Sequence, residues 1–289
     1  MDGFPAQKPK ELLSYLLLHR ERPFLREVLT TLLWGESDPD RARKYFRQTL
    51  WQIQHDLHSL LGEPGEHLLL VEGDWIRLNP ELQVWCDVDA LQLAFDKTRG
   101  VSGSTLGTSQ VQSLVDAVQL YQGDLLEGWY QDWCLFERER LQNIYLLILD
   151  KLVEYCETNS FFEDGIVYSM RILKIDYARE KTHRGLMRIY NQIGDRTNAL
   201  RQYERCVAIL KAEMGVSPSQ RTQKLFEAIQ KDRLVPTGGT IHPPNHPADS
   251  ASIKRLVYHL TQLRRHLSQA HEQVGQDIEI VQNILLEDK

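Results

Sequence analysis

The chain has 289 residues, 42% of them apolar and 26% charged, with a formal net charge of −6. That length suits roughly two domains of about 100–200 residues each, and the composition is that of an ordinary soluble globular protein. The acidic balance argues against coating nucleic acid through a global basic field, but leaves room for a local basic face, because affinity follows the charges that meet phosphate. No apolar run approaches the roughly 20 residues a membrane helix needs; the longest, Ile144 to Leu149, stops at Asp150. The amino terminus lacks the basic-then-apolar pattern of a signal peptide. Cys86, Cys134, Cys156 and Cys206 are scattered without paired spacing, which predicts reduced core thiols and a cytoplasmic protein.

Four regions separate by pattern: 1–80, 85–231, 232–250 and 251–289. In the first, Leu12, Leu13, Leu16 and Leu17 mark an amphipathic helix over Lys8 to Arg20. A short helix follows from Arg26 to Trp34, ending near Gly35. Asp38-Pro39 then supplies a capping carboxylate and a proline at the first helical position. The helix it starts runs to about Leu61, with Ala42, Phe46, Leu50, Ile53 and Leu57 on its inner face. Beyond Gly62, the run Leu68 to Leu78 places two apolar strands around a Glu72-Gly73-Asp74 turn, the signal of a hairpin.

Helix, short helix, capped longer helix and hairpin is the order of a winged helix-turn-helix. On the third helix the outward residues are Arg43, Lys44, Arg47, Gln48, Trp51, Gln54 and His55. Arg and Gln are suited to base edges and Lys to phosphate. The same residue types also make an ordinary solvated face, and Asp38, Asp40 and Asp56 flank the helix.

The second region reads as helices throughout and carries an internal period of 34 residues, the length of a tetratricopeptide repeat. At that offset Leu152 falls on Leu186, Val153 on Met187, Gly165 on Ala199, Ile166 on Leu200 and Leu173 on Val207. Gly165 and Ala199 are placed where paired helices approach closely, and Asn159 and Gly194 at the turns. Ser217-Pro218 is expected to cap a final helix through Gln230. Stacked helix pairs build surfaces that recognise protein more often than they perform chemistry. Trp129, Tyr130 and Trp133 form the densest aromatic cluster, read first as core and second as a partner contact.

Residues 232–250 are a proline- and glycine-rich linker that cannot continue a helix. After it, Ile253, Leu256, Leu260, Leu263, Leu267, Ala270 and Val274 follow a 3-4 spacing over about three heptads. This predicts a long coiled-coil-like helix that either forms a homodimer or docks on its own repeat domain. No phosphate-binding glycine loop or nucleophile elbow is present. His55 and His58, and His242 and His246, lack the further ligands of a structural zinc site. Neither a metal, a cofactor nor an enzymatic activity is expected.

The stretch Tyr121-Gln122-Gly123-Asp124-Leu125-Leu126-Glu127-Gly128, followed by Trp133 and Glu137-Arg138-Glu139-Arg140-Leu141, resembles the opening of the bacterial transcriptional activator domain. So do Leu186 through Asp195-Arg196, then Ala199 to Arg205, and the closing Glu213-Met214-Gly215-Val216-Ser217-Pro218-Ser219. In the Streptomyces antibiotic regulatory protein family this domain follows a winged helix. Leu32-Leu33-Trp34-Gly35, Pro39, Ala42-Arg43 and Phe46-Arg47-Gln48-Thr49-Leu50 resemble its approach to the recognition helix.

The resemblance implies a mainly α bacterial transcription activator: a winged helix-turn-helix over 1–80, a tetratricopeptide-like activator domain over 85–231, the linker, and the long helix over 251–289. Its implied partners are promoter DNA, read by the helix 39–61, and RNA polymerase or another protein, met by the helical repeats. Two departures stand out. The family's winged helix opens with a small β-sheet, and only seven residues precede Lys8, so a truncated winged helix is expected. The family's recognition helix also tends to end with arginines, where this chain has Trp51-Gln52-Ile53-Gln54-His55-Asp56-Leu57. An alternative is therefore a protein-interaction scaffold whose winged helix no longer binds DNA.

Overall fold

The computed structural model describes residues 7–232 of the chain. The linker beyond 232, the long helix expected over 251–289, and His242 and His246 lie outside the described residues. The chain divides into two units, one ending at Leu93 and the other beginning at Ala94. The described architecture is mainly α, a winged helix-turn-helix order followed by stacked helix pairs.

In the first unit the order is α1 (Gln7–Leu18), β1 (Phe24–Leu25), α2 (Arg26–Trp34), α3 (Pro39–Leu61), α4 (Glu63–Glu66), β2 (Leu69–Glu72) and β3 (Trp75–Leu78). α2 and α3 have the bounds expected from the sequence, and α3 opens on its Asp38 cap and Pro39. β1 is a finding that the sequence pattern did not predict. Two residues are too few to show alternation; the strand exists because Phe24 and Leu25 pair with Ile76 and Trp75 of the hairpin. The resulting sheet has the order β1-β3-β2 and is antiparallel throughout. Leu12 and Leu16 from α1, Leu29 and Leu33 from α2, Phe46, Ile53 and Leu57 from α3, and Ile76 from β3 make one core. Burying each such side chain is worth about 1.5–3 kcal/mol.

The second unit contains α6 (Thr108–Leu120), α7 (Asp132–Thr158), α8 (Phe162–Ile175), α9 (Glu180–Gln192), α10 (Arg196–Met214) and α11 (Gln220–Gln230); α5 (Asp87–Lys97) leads into it. Residues 98–104 are pinned to α7. Lys151 donates to the carbonyls of Thr98 and Val101, and Glu154 accepts from Ser102 and from the Gly103 backbone. A Cβ at Gly103 would sit 2.3 Å from the Lys151 carbonyl oxygen, so only glycine allows this approach.

The 34-residue period is present in the hydrogen bonds themselves. Asn159 N–H donates to Tyr155 O and Phe161 N–H to Cys156 O; 34 residues on, Ile193 donates to Ile189 and Asp195 to Tyr190. The residues between them, Ser160 and Gly194, both take the left-handed conformation, at φ 61° and 82°. Each turn is thus the same C-terminal helix closure, in which the chain reverses through one left-handed residue. Within the pairs, a Cβ at Gly165 would lie 3.0 Å from Ile189 Cδ1 and 3.3 Å from Cys156 Cβ. Its counterpart Ala199 is fully buried. Leu152, Leu186 and Met187 are buried at the same offset.

The last helix starts two residues later than Ser217-Pro218 suggested: Ser219 is its N-cap. The cause is tertiary. Glu180 of α9 accepts from Ser219 N–H at 2.9 Å, from Ser219 Oγ at 2.5 Å and from the buried Thr222 hydroxyl. Burial pushes the Glu180 carboxyl up, but these donors outweigh it and hold it below its ordinary value of 4.5. Cys134, Cys156 and Cys206 are buried free thiols and Cys86 is half-buried. Burial raises the Cys206 thiol to about 11 and Cys156 further still.

The repeat geometry can be tested at its turns and at its last helix. Nothing lies within 4 Å of a Cβ at Gly194, so Gly194→Ala should cost only the left-handed penalty, about 1–2 kcal/mol in urea denaturation. Ser160→Gly should leave stability equal or higher; a loss as large as that of Gly194→Ala would contradict the shared turn. A carboxylate held low stabilises the fold above its unfolded value, and that contribution is lost as pH falls through the folded value. Acidification from 4.5 downward should therefore loosen α11. Glu180→Gln should be less stable at neutral pH and lose less on acidification, as read by thermal melts across that range.

Candidate nucleic-acid interface

α3 is oriented by its two ends and one stripe. At its start, Asp38 Oδ1 accepts from the backbone N–H groups of Asp40 and Arg41 at 3.2 Å each, and Pro39 occupies the first turn. Ala42, Phe46, Thr49, Leu50, Ile53 and Leu57 are buried along one side. Trp34 of α2 packs edge-on against Phe46, with centroids 6.2 Å apart. At about 100° per residue the seven outward residues then occupy an arc of about 140° on the opposite side.

Arg43, Lys44, Arg47, Gln48, Trp51 and His55 are exposed, and Gln54 is half-buried. Arg43 meets Asp40 at 3.3 Å, an exposed contact of little energetic weight. Lys44 and Arg47 have no ion-pair partner among the described residues. Trp51 is 62% exposed, and its ring stacks on that of His55, with centroids 5.2 Å apart and planes 6° from parallel. The half of the helix that lacks arginines thus carries a flat aromatic surface. Such a surface is suited to apolar contact with thymine methyl groups or sugar edges.

A groove of about 830 Å³ runs between α2, the α2–α3 turn and the first turns of α3. Arg26, Arg43 and Arg47 line it, together with Glu27, Asp40 and Asp74. Arg26 and Asp74 are residues that reasoning on the sequence left out of the site. Arg26 N–H donates to Asp74 O at 2.8 Å, which ties the first residue of α2 to the tip of the hairpin. Gly73 takes φ 61° at that tip. Arg26 Nε has no hydrogen-bond partner among the described residues. The available sequence signal was positional, a cation opening the first helix of a helix-turn-helix. On β3, Trp75 is exposed and Arg77 reaches Glu72 at 3.3 Å. Helix, groove and hairpin together present cations on a frame whose backbone is hydrogen-bonded across its parts, a geometry able to meet a phosphate backbone and a major groove.

Comparison with known proteins agrees with this architecture. The family model for the bacterial transcriptional activator domain matches residues 86–230. The chain is similar to the transcriptional regulatory protein MoaR1 of Mycobacterium bovis and of Mycobacterium tuberculosis. Each is 26% identical over 232 residues, which cover 78% of this chain and 72% of the relative. Among solved structures it resembles Mycobacterium tuberculosis EmbR, determined in complex with a low-affinity phosphopeptide, at a TM-score of 0.58 and 18% identity. That match covers 89% of this chain and 65% of the other, so the chain spans just under two thirds of that protein's length.

The capping of α3 yields a stability test. Asp38→Ala should destabilise the first unit by about 1 kcal/mol, and Asp38→Asn by much less, because asparagine also caps. Equal losses for the two variants in chemical denaturation would mean that the side chain does not cap the helix.

Proposed function

The chain belongs to the bacterial transcriptional activator domain family and is a transcriptional regulator of the Streptomyces antibiotic regulatory protein type, and we propose that it activates transcription by reading promoter DNA with α3. In this reading residues 1–80 are the DNA-binding domain, with β2–β3 as its wing. Residues 85–231 engage RNA polymerase or another protein. Arg43, Arg47 and Gln48 face base edges, Lys44 meets phosphate, and Trp51, Gln54 and His55 extend the contact along the groove. The protein has no enzymatic role in this reading and works inside the cytoplasm. The observation that carries the proposal is the exposure of all the cations of α3 on the face opposite its buried stripe.

A second reading, a scaffold that does not bind DNA, is favoured by one observation. The outward face beyond Gln48 carries the stacked Trp51–His55 pair and no arginine.

The two separate in a fluorescence anisotropy titration of the full chain with promoter fragments from the neighbourhood of its own gene. Binding should be sequence-dependent and weaken with salt. Arg43→Ala with Arg47→Ala should cost about 1–3 kcal/mol for each base that is no longer read. Lys44→Ala should lower affinity on every sequence and reduce the salt slope by about one. Binding that ignores the double substitution would sink the proposed face, and absence of binding at low salt would favour the scaffold.

A further inference from the structure

We propose that the basic segment 251–271 of this chain docks, within the same molecule, onto an acidic aromatic platform at the start of α7. Neither partner includes α3, so the docking stands or falls separately from DNA reading by α3.

The platform departs from the core packing expected for the aromatic cluster. Trp129 and Trp133 do pack against each other, edge to face, with centroids 6.4 Å apart. Tyr130, however, is 77% exposed and Phe136 68%, with Leu135 also exposed beside them in sequence. Their support is rigid. Arg138 donates to three backbone carbonyls, those of Leu125 at 2.9 Å, Leu126 at 2.8 Å and Trp129 at 3.0 Å. It thereby holds a loop in which Leu126 and Gly128 take φ of 48° and 84°. A side chain committed to three carbonyls over a left-handed loop presets the aromatic groups before anything binds, which lowers the ordering cost of a contact.

The rim of the platform states the charge of its occupant. Asp124, Glu127, Asp132 and Glu139 are exposed carboxylates. Among the described residues none of the four has an ion-pair partner, whereas the buried Glu137 is paired with Arg140 at 2.7 Å. Asp124 only accepts a hydrogen bond from the Tyr121 hydroxyl at 3.3 Å. An exposed apolar patch with an uncompensated acidic rim fits an amphipathic, basic segment.

The chain supplies one. Between 251 and 271 it has Lys254, Arg255, Arg264 and Arg265, three histidines and no acidic residue; the first is Glu272. Ile253, Leu256, Leu260, Leu263 and Leu267 recur through that stretch at 3-4 spacing. The described residues end at Asp232, so 18 residues (233–250) separate them from the segment. At about 3.3–3.6 Å per residue those 18 span up to about 60 Å. A tether of that length keeps the segment close to the second unit, at the raised effective concentration of a linked ligand.

Zero-length carbodiimide cross-linking of the full chain, run on an equal mixture of unlabelled and isotopically labelled protein, tests the proposal. Lys254 is expected to join Asp124, Glu127, Asp132 or Glu139, in pairs carrying a single isotope. Yield should fall several-fold in about 1 M salt, where the screening length is only about 3 Å. It should fall similarly in Tyr130→Ser with Phe136→Ser, which keeps every carboxylate, and in Arg264→Glu with Arg265→Glu, which leaves the platform untouched. Lys254 joined to other carboxylates, or a yield insensitive to both pairs of substitutions, would overturn the assignment. Mixed-isotope pairs making up about half of the cross-links, the share expected for random pairing of two copies, would overturn it too by placing the segment on a second copy.

Discussion

The rotation of α3 about its own axis is the constraint on which the first unit depends. Six buried residues from Ala42 to Leu57 leave it one orientation against α1, α2 and the sheet. Turning the helix by one residue, about 100°, would carry Phe46 and Ile53 toward water and draw exposed cations toward the core. Burying an unpaired guanidinium costs several kcal/mol, so the two penalties reinforce each other. The outward face is thus fixed by what the inward face cannot give up. The Asp38 cap and the Arg26–Asp74 backbone bond then set the height of the helix relative to the hairpin.

The second unit obeys a different rule, that of contact between neighbours along the chain. Each helix pair covers the next, and close approaches are made where the side chain is smallest, at Gly165 and Ala199. Some polar groups caught in these layers are satisfied by partners on neighbouring helices. Buried His183 sits between the Tyr177 carbonyl at 2.9 Å and Gln202 at 2.7 Å, a bridge from α9 to α10. Glu180 serves the same purpose between α9 and α11. Such bridges add directional registry to apolar contacts that alone would tolerate sliding.

Much of this was legible in the residues, for reasons that differ from element to element. The bounds of α3 could be read because a proline, a capping carboxylate and an apolar stripe all act within one helix. The outward seven residues of α3 followed from the same periodicity. The two-residue β1 could not be read, because its only cause is a partner strand some fifty residues away. The start of α11 was misplaced for a similar reason: Ser217 and Ser219 both look like caps, and the choice is made by Glu180 on another helix. Arg26 was missed because its importance comes from the tip of the hairpin. Tyr130 was read as core because it belongs to the densest aromatic cluster, yet it is exposed beside the loop clamped by Arg138. In each instance a long-range contact decided what local chemistry left open.

The recurrence of the turn hydrogen bonds at Phe161–Cys156 and Asp195–Tyr190 has a consequence for how such a chain can change in length. Each turn delivers the backbone to the second helix of its pair with the same direction and the same phase. Removing or duplicating a whole 34-residue module would bring together ends that already match. An insertion of a few residues inside α8 or α9 would rotate every downstream apolar position off its neighbour. Length in this half of the molecule is therefore quantised. The array can grow or shrink by whole modules, and smaller changes are confined to the turns and to the chain beyond α11.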